Sequence, residues 1–189
     1  MMAGQNRGID LVVSAIKPGG VGVELGVWKG DSSEKLLRTF PKQLHLVDTW
    51  SIEPYLKTEE LKERLISRYS SMIGSSELKD FESYYEKVYN YVKDRFKVHN
   101  NVNIHKKSTE EFFHSNKIMF DWIYVDAHHD YENVLFDLNQ SLTYLKKDGI
   151  IFGDDYNRKP GVNQAVDEFV SINNLSFSYL GETQFKIIR

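Results

Sequence analysis

Several ionisable side chains stand where strand-like runs end. In "DWIYVDAHHDYE", residues 121–132, an apolar run (Trp122, Ile123, Tyr124, Val125) gives way to Asp126, Ala127, His128, His129 and Asp130. "GIIFGD" closes on Asp154, followed by Asp155, and "LHLVD" closes on Asp48. Unpaired charges are costly to bury, so such groups sit at a wet edge or hold a ligand. Asp126, Asp154 and Asp155 repel one another unless a cation stands among them, and a hard divalent ion such as Mg²⁺ suits oxygen ligands and retained water. Adjacent residues of an extended strand point to opposite faces. Asp154 and Asp155 therefore reach one ion only if the chain turns within "DDYNRKPG"; otherwise Asp155 makes a local backbone bond. His129, three residues after Asp126, carries an imidazole with a pKa suited to taking a hydroxyl proton near neutrality. Asp130 is placed to cap a helix beginning at Tyr131.

A second group lies in "VELGVWKGDSS", residues 23–33. Gly26 and Gly30 let the backbone turn tightly and approach a ligand closely. Asp31, Ser32 or Ser33 can cap the helix that follows. Twenty-two residues after Gly26, Asp48 ends the next strand, where a carboxylate can accept ribose hydroxyls. The spacing is Glu24-x-Gly26-x-x-x-Gly30, not G-x-G-x-x-G, with an acid on the strand itself. Glu24 would repel a pyrophosphate and suits a ligand bearing ammonium or sulfonium, which moves the expectation from NAD to S-adenosylmethionine.

The elements that must hold these groups alternate. "VGVEL" (21–25), "LHLVD" (44–48), "VNIH" (102–105), "WIYVD" (122–126) and "GIIFGD" (149–154) read as strands separated by helical patterns. One such pattern places Tyr131, Val134, Leu135, Leu138, Leu142 and Leu145 on a single apolar face. Nearly continuous apolar strands alternating with helices predict a parallel sheet covered on both sides. "LSFSYLG" and "TQFKIIR" predict an antiparallel hairpin at the sheet edge. From about Tyr55 to Asn100 two helical patterns stand without a strand, and they hold six of the eleven tyrosines. This insertion reads first as a helical cap with an aromatic core face, and alternatively as a lid or a subunit contact.

Composition narrows the field. A chain of 189 residues fits one domain over 1–189, with 41% hydrophobic and 27% charged residues, as in ordinary globular proteins. The net charge of −3 gives no footprint for nucleic acid. No apolar run approaches the ~20 residues that span a bilayer, so no membrane partner is expected. The opening stretch reads as a helix ending at Pro18-Gly19-Gly20, not as a signal peptide. Cysteine is absent, which excludes disulfides and thiolate chemistry and is compatible with the cytoplasm.

Taken together, "VELGVWKGDSS", "LVDTW", "KKSTEEF" and "IYVDAHHDYENVLFDL…GIIFGDDY" resemble the class I S-adenosylmethionine-dependent methyltransferases. The resemblance is nearest to the macrocin- and mycinamicin-type sugar O-methyltransferases and spans Val21 to the end, apart from the insertion. It implies a Rossmann-like α/β fold, a mostly parallel seven-stranded sheet with an antiparallel last strand. It implies cofactor contacts at Glu24, Gly26, Gly30, Ser33 and Asp48, with Ser108 beside the adenine. "STEE" is equally a capping box, with Ser108 as N-cap and Glu111 at N3. The resemblance also implies a metal bound through Asp126, Asp154 and Asp155, and His129 as base. His128 has no counterpart there and reads as a solvated loop residue; the other histidines read as structural or surface. Two departures stand out: Ala127 replaces a usual glycine, and the first strand comes after roughly twenty residues, where antibiotic-sugar members carry long N-terminal regions that help close the site; the insertion is a candidate substitute for that cover. The expected partner is a small hydroxylated acceptor, with a homo-oligomer left open.

Two readings compete. An NAD- or nucleotide-sugar-binding oxidoreductase or epimerase lacks support from Glu24 and from the glycine spacing. Its Tyr-x-x-x-Lys pair occurs only as Tyr89 and Lys93, inside the insertion. A catalytically silent cofactor-binding protein would have little reason to keep Asp126, His129, Asp154 and Asp155 together.

Overall fold

The apolar β-branched runs become the centre of one sheet. The computed structural model describes residues 5–189. Its strands are Val21–Leu25 (β1), Gln43–Asp48 (β2), Val102–Lys106 (β3), Phe120–Val125 (β4), Leu145–Gly153 (β5), Ser176–Tyr179 (β6) and Phe185–Ile188 (β7). They line up in the order β3-β2-β1-β4-β5-β7-β6. The first five are parallel, and β7 pairs antiparallel with both β5 and β6. This is the Rossmann-like arrangement expected from the sequence, and the hairpin does form the sheet edge.

Helices cover both faces because the central strands are apolar on both. On one side Gln5–Ala15 (α1), Asp31–Leu36 (α2) and Leu78–Phe96 (α4) bring Ile9, Val12, Leu36, Val88, Val92 and Phe96 against Leu44, Leu46, Tyr124 and Phe152. On the other, Thr109–Ser115 (α5), Tyr131–Tyr144 (α6) and Pro160–Asn173 (α7) bury Phe112, Phe113, Leu138, Val166 and Phe169 against Val23, Leu25, Ile123 and Ile151. Each fully buried Leu or Phe contributes about 1.5–3 kcal/mol, so either layer stabilises the sheet substantially. His45 of β2 lies in the second layer, its Nδ1 2.9 Å from Nε2 of His105 on β3.

Leu145 corrects the helical pattern read from sequence. It opens β5 and pairs with Phe120, followed by a register shift, so α6 stops at Tyr144. The insertion holds a short 3₁₀ turn (Glu53–Leu56), Glu59–Ile73 (α3) and α4. Its aromatic face is core: Val88, Val92 and Phe96 pack on the sheet, while Phe81 packs with Ile52 and Leu65. Among the described residues, no helix is long and apolar enough to cross a membrane.

Candidate active site

β1, β2, β4 and β5 run parallel, so the residues after their carboxyl ends gather on one edge, where ligands bind in open α/β sheets. Gly26 follows β1, Asp48 closes β2, Asp126 follows β4, and Asp154 and Asp155 follow β5.

Gly26 has φ +88°, and a Cβ there would lie 2.2 Å from the Asp126 carbonyl oxygen and 2.6 Å from Ala127 Cα. Only glycine allows the β1 loop to touch the β4 loop in this way. Ala127 itself keeps an ordinary negative φ, so the glycine usual at that place is not required for this turn. Gly30 has φ +77° and lies against the Phe96 ring.

The β1 loop is tied on every side. Asp48 Oδ2 accepts from the N–H groups of Val27 and Trp28, both at 2.9 Å, and Oδ1 accepts from Trp50 N–H at 2.8 Å. Trp50 Nε1–H in turn donates to the Trp28 carbonyl at 2.8 Å. Asp48 thus organises the loop as well as facing the ligand edge. Arg95 of α4 donates to the Lys29 carbonyl at 2.7 Å and pairs with Asp31 at 2.7 Å and Glu34 at 2.5 Å. Sequence reasoning missed Arg95, whose partners lie more than sixty residues away.

Glu24 is 1% exposed and accepts a short hydrogen bond from Ser33, which is itself fully buried. Burial, only partly offset by Ser33, pushes its carboxyl up to about 8. Glu24 and Ser33 therefore join β1 to α2 from beneath the loop. Ser108 caps α5 in a complete capping box with Glu111, the structural half of its double reading. Asp130 caps α6, accepting from Asn133 N–H at 3.1 Å.

At the other strands the acids are distributed differently from the expected Asp126–Asp154–Asp155 set. Asp155 adopts φ +63°, which turns the chain sharply after β5. Asp154 then points inward: its Oδ1 accepts from Asp155 N–H, Thr183 Oγ1–H and Gln184 Nε2–H at 2.6–2.7 Å. The Tyr124 hydroxyl reaches its Oδ2 at 3.3 Å. Asp155 instead meets His129, with Nε2 2.7 Å from Oδ2. One ligand atom from each of Asp126, His129 and Asp155 lies within 4.8 Å of the others. Thr183 and Gln184, which draw Asp154 away, carried no sequence signal beyond standing before a strand.

The charge balance of this cluster is poor. Desolvation, then the charges of Asp154 and Asp155, raise the Asp126 carboxyl well above the ordinary range. Desolvation would raise the Asp155 carboxyl, but the hydrogen bond and charge of His129, with the charges of Arg158 and Lys159, hold it below the ordinary range. Desolvation lowers the pKa of His128, which lies 4.0 Å from Asp130.

A family model described as a methyltransferase domain matches residues 23–156. The O-methyltransferase NovP superposes with TM-score 0.62 at 18% identity, over 97% of this chain and 76% of its own. The N-methyltransferase NodS from Bradyrhizobium japonicum WM9 gives 0.59 at 14%, over 97% and 93%. Ribosomal protein L11 methylase from Lactobacillus delbrueckii subsp. bulgaricus gives 0.59 at 13%, over 96% and 75%. At these identities the structures attest the fold alone. No curated protein sequence matches the chain.

Proposed function

This chain belongs to the methyltransferase-domain family, and on that premise we propose that it transfers the methyl group of S-adenosylmethionine to a hydroxyl oxygen of a small molecule. The carrying observation is the contact between loops: the glycine that shapes the cofactor loop touches the Asp126 backbone, and Asp126 sits with His129 and Asp155. A reactive cluster thereby adjoins the methyl donor's cradle.

His129 is the proposed base. Its Nε2 faces Asp155, which fixes the ring and stabilises the imidazolium, so Nδ1 is the nitrogen that takes the hydroxyl proton. The oxygen's electron pair attacks the sulfonium methyl, the carbon–sulfur bond breaks toward sulfur, and a neutral thioether leaves. Holding the two reactants in line supplies much of the acceleration.

The donor set also fits a divalent cation. Asp126 and Asp155 are oxygen ligands of the hard type, and the crowding of negative charge that raises Asp126 is what a cation relieves. When bound, such an ion polarises the acceptor hydroxyl and lowers its pKa. Asp154, fully engaged with Thr183 and Gln184, is assigned a supporting place and not a ligand's.

Calorimetric titration of S-adenosylmethionine, with NAD as control, tests the cofactor reading. Binding of the first and not the second is expected; the reverse pattern sinks the proposal. His129→Ala should cut turnover by about 10²-fold or more with cofactor affinity nearly unchanged. A parallel loss of affinity would remove His129 from the base role.

A further inference from the structure

We infer that Trp28 is a cofactor-discriminating residue: its indole face receives the positive charge of S-adenosylmethionine and so favours the sulfonium donor over the neutral thioether product. The inference rests on the proposed cofactor.

Four observations converge on this side chain. Trp28 occupies the middle of the turn Gly26-x-Trp28-x-Gly30, with φ +47°, a left-handed conformation that a bulky residue adopts only under strain. The strain is held by bonds on both sides: Trp28 N–H donates to Asp48, and its carbonyl accepts from Trp50 Nε1–H. Despite this fixed backbone the side chain is 43% exposed at the ligand edge of the sheet, so it is not held there by burial. Finally, a cation already occupies its π-face, the Lys29 ammonium lying 4.6 Å from the ring centroid.

A rigid, exposed indole with a cation over it is a cation-binding surface. The long side chain of Lys29 has rotamers that take its ammonium off the ring, while its backbone stays anchored by Arg95. In its place the ring can take the sulfonium or the α-ammonium of the cofactor. Both donor and product carry the ammonium, but only the donor carries the sulfonium. Discrimination between the two ligands therefore reports the sulfonium, and equal retention of both reports the ammonium. Weaker binding of the spent cofactor helps it leave.

The chain makes the test direct. It has three tryptophans, and Trp50 and Trp122 are each 2% exposed. Quenching by acrylamide, a neutral collider, therefore reads Trp28. Saturating S-adenosylmethionine should lower the quenching constant at least about twofold, and S-adenosylhomocysteine should do so less. In calorimetry Trp28→Leu should weaken S-adenosylmethionine roughly two- to thirty-fold, the range of a cation–π contact, and S-adenosylhomocysteine clearly less. Trp28→Phe should fall between. Trp28→Gly relieves the left-handed strain, so it should match or exceed the parent in thermal stability while binding S-adenosylmethionine more weakly. A purely structural tryptophan would instead lose stability there.

Equal losses for both ligands in Trp28→Leu would overturn the sulfonium assignment. So would S-adenosylmethionine binding that releases heat yet leaves Trp28 as quenchable as before. Failure of the parent protein to bind S-adenosylmethionine at all would strike the cofactor reading itself, a separate outcome.

Discussion

The two halves of the ligand edge are built on opposite electrostatic plans. In the β1–β2 half every acid has a partner: Asp48 takes three backbone N–H groups, Glu24 takes Ser33, and Arg95 answers Asp31 and Glu34. In the β4–β5 half Asp126 has acids for neighbours, while Asp155 has the His129 imidazole at 2.7 Å and the Arg158 guanidinium at 3.7 Å. The first half is complete without a ligand and works by shape. The second leaves Asp126 among acids, and on the proposed function it gains when a cation or a developing imidazolium arrives. Pre-organisation and reactivity are therefore divided between two loops that meet at Gly26 and Asp126.

Substitutions can break this contrast in graded steps. Gly26→Ala should be the most damaging, since a left-handed φ and a 2.2 Å clash with backbone combine. A loss of about 3 kcal/mol or more in urea unfolding is expected, together with loss of cofactor binding. Next comes a pH effect from Glu24. Its folded pKa, about 8, lies above the ordinary 4.5, so the folded state holds the proton more tightly than the unfolded chain. Stability present below pH 4.5 should therefore be lost as pH rises toward 8, on the order of 5 kcal/mol. In Glu24→Gln this slope should flatten when unfolding is followed across that window. Asp48→Asn removes charge-assisted bonds to the loop and should cost about 2 kcal/mol, with weaker S-adenosylmethionine binding. Asp126→Asn should do the reverse: by relieving repulsion it should stabilise the metal-free protein by about 1 kcal/mol at pH 8 while abolishing turnover. If Asp48→Asn and Asp126→Asn moved stability in the same direction, the contrast would not hold.

Much of this was legible in sequence where period and local chemistry decide. Strands 1 to 5, the terminal hairpin, the Asp130 cap and the convergence of acids at strand ends all follow from short stretches. The helical insertion was legible as helices, but not the clamp that Arg95 places on the Lys29 carbonyl, because that pairing joins distant segments. Nor could sequence say which of Asp154 and Asp155 faces the cluster. That choice depends on the left-handed turn at Asp155 and on Thr183 and Gln184 arriving from the hairpin. Leu145 kept helical spacing yet was taken by the sheet, as β-pairing with Phe120 overrode the pattern.

The direct test of a charge-deficient β4–β5 cluster is thermal unfolding of the metal-free protein against increasing Mg²⁺ or Mn²⁺, beside Asp155→Ala. If the cluster holds a cation, the parent should be stabilised saturably. At ten times the dissociation constant the gain is about 1.4 kcal/mol, or a few degrees in a chain of this size. Asp155→Ala should show little of it. An unchanged melting temperature in the parent, or an equal rise in Asp155→Ala, would contradict the account.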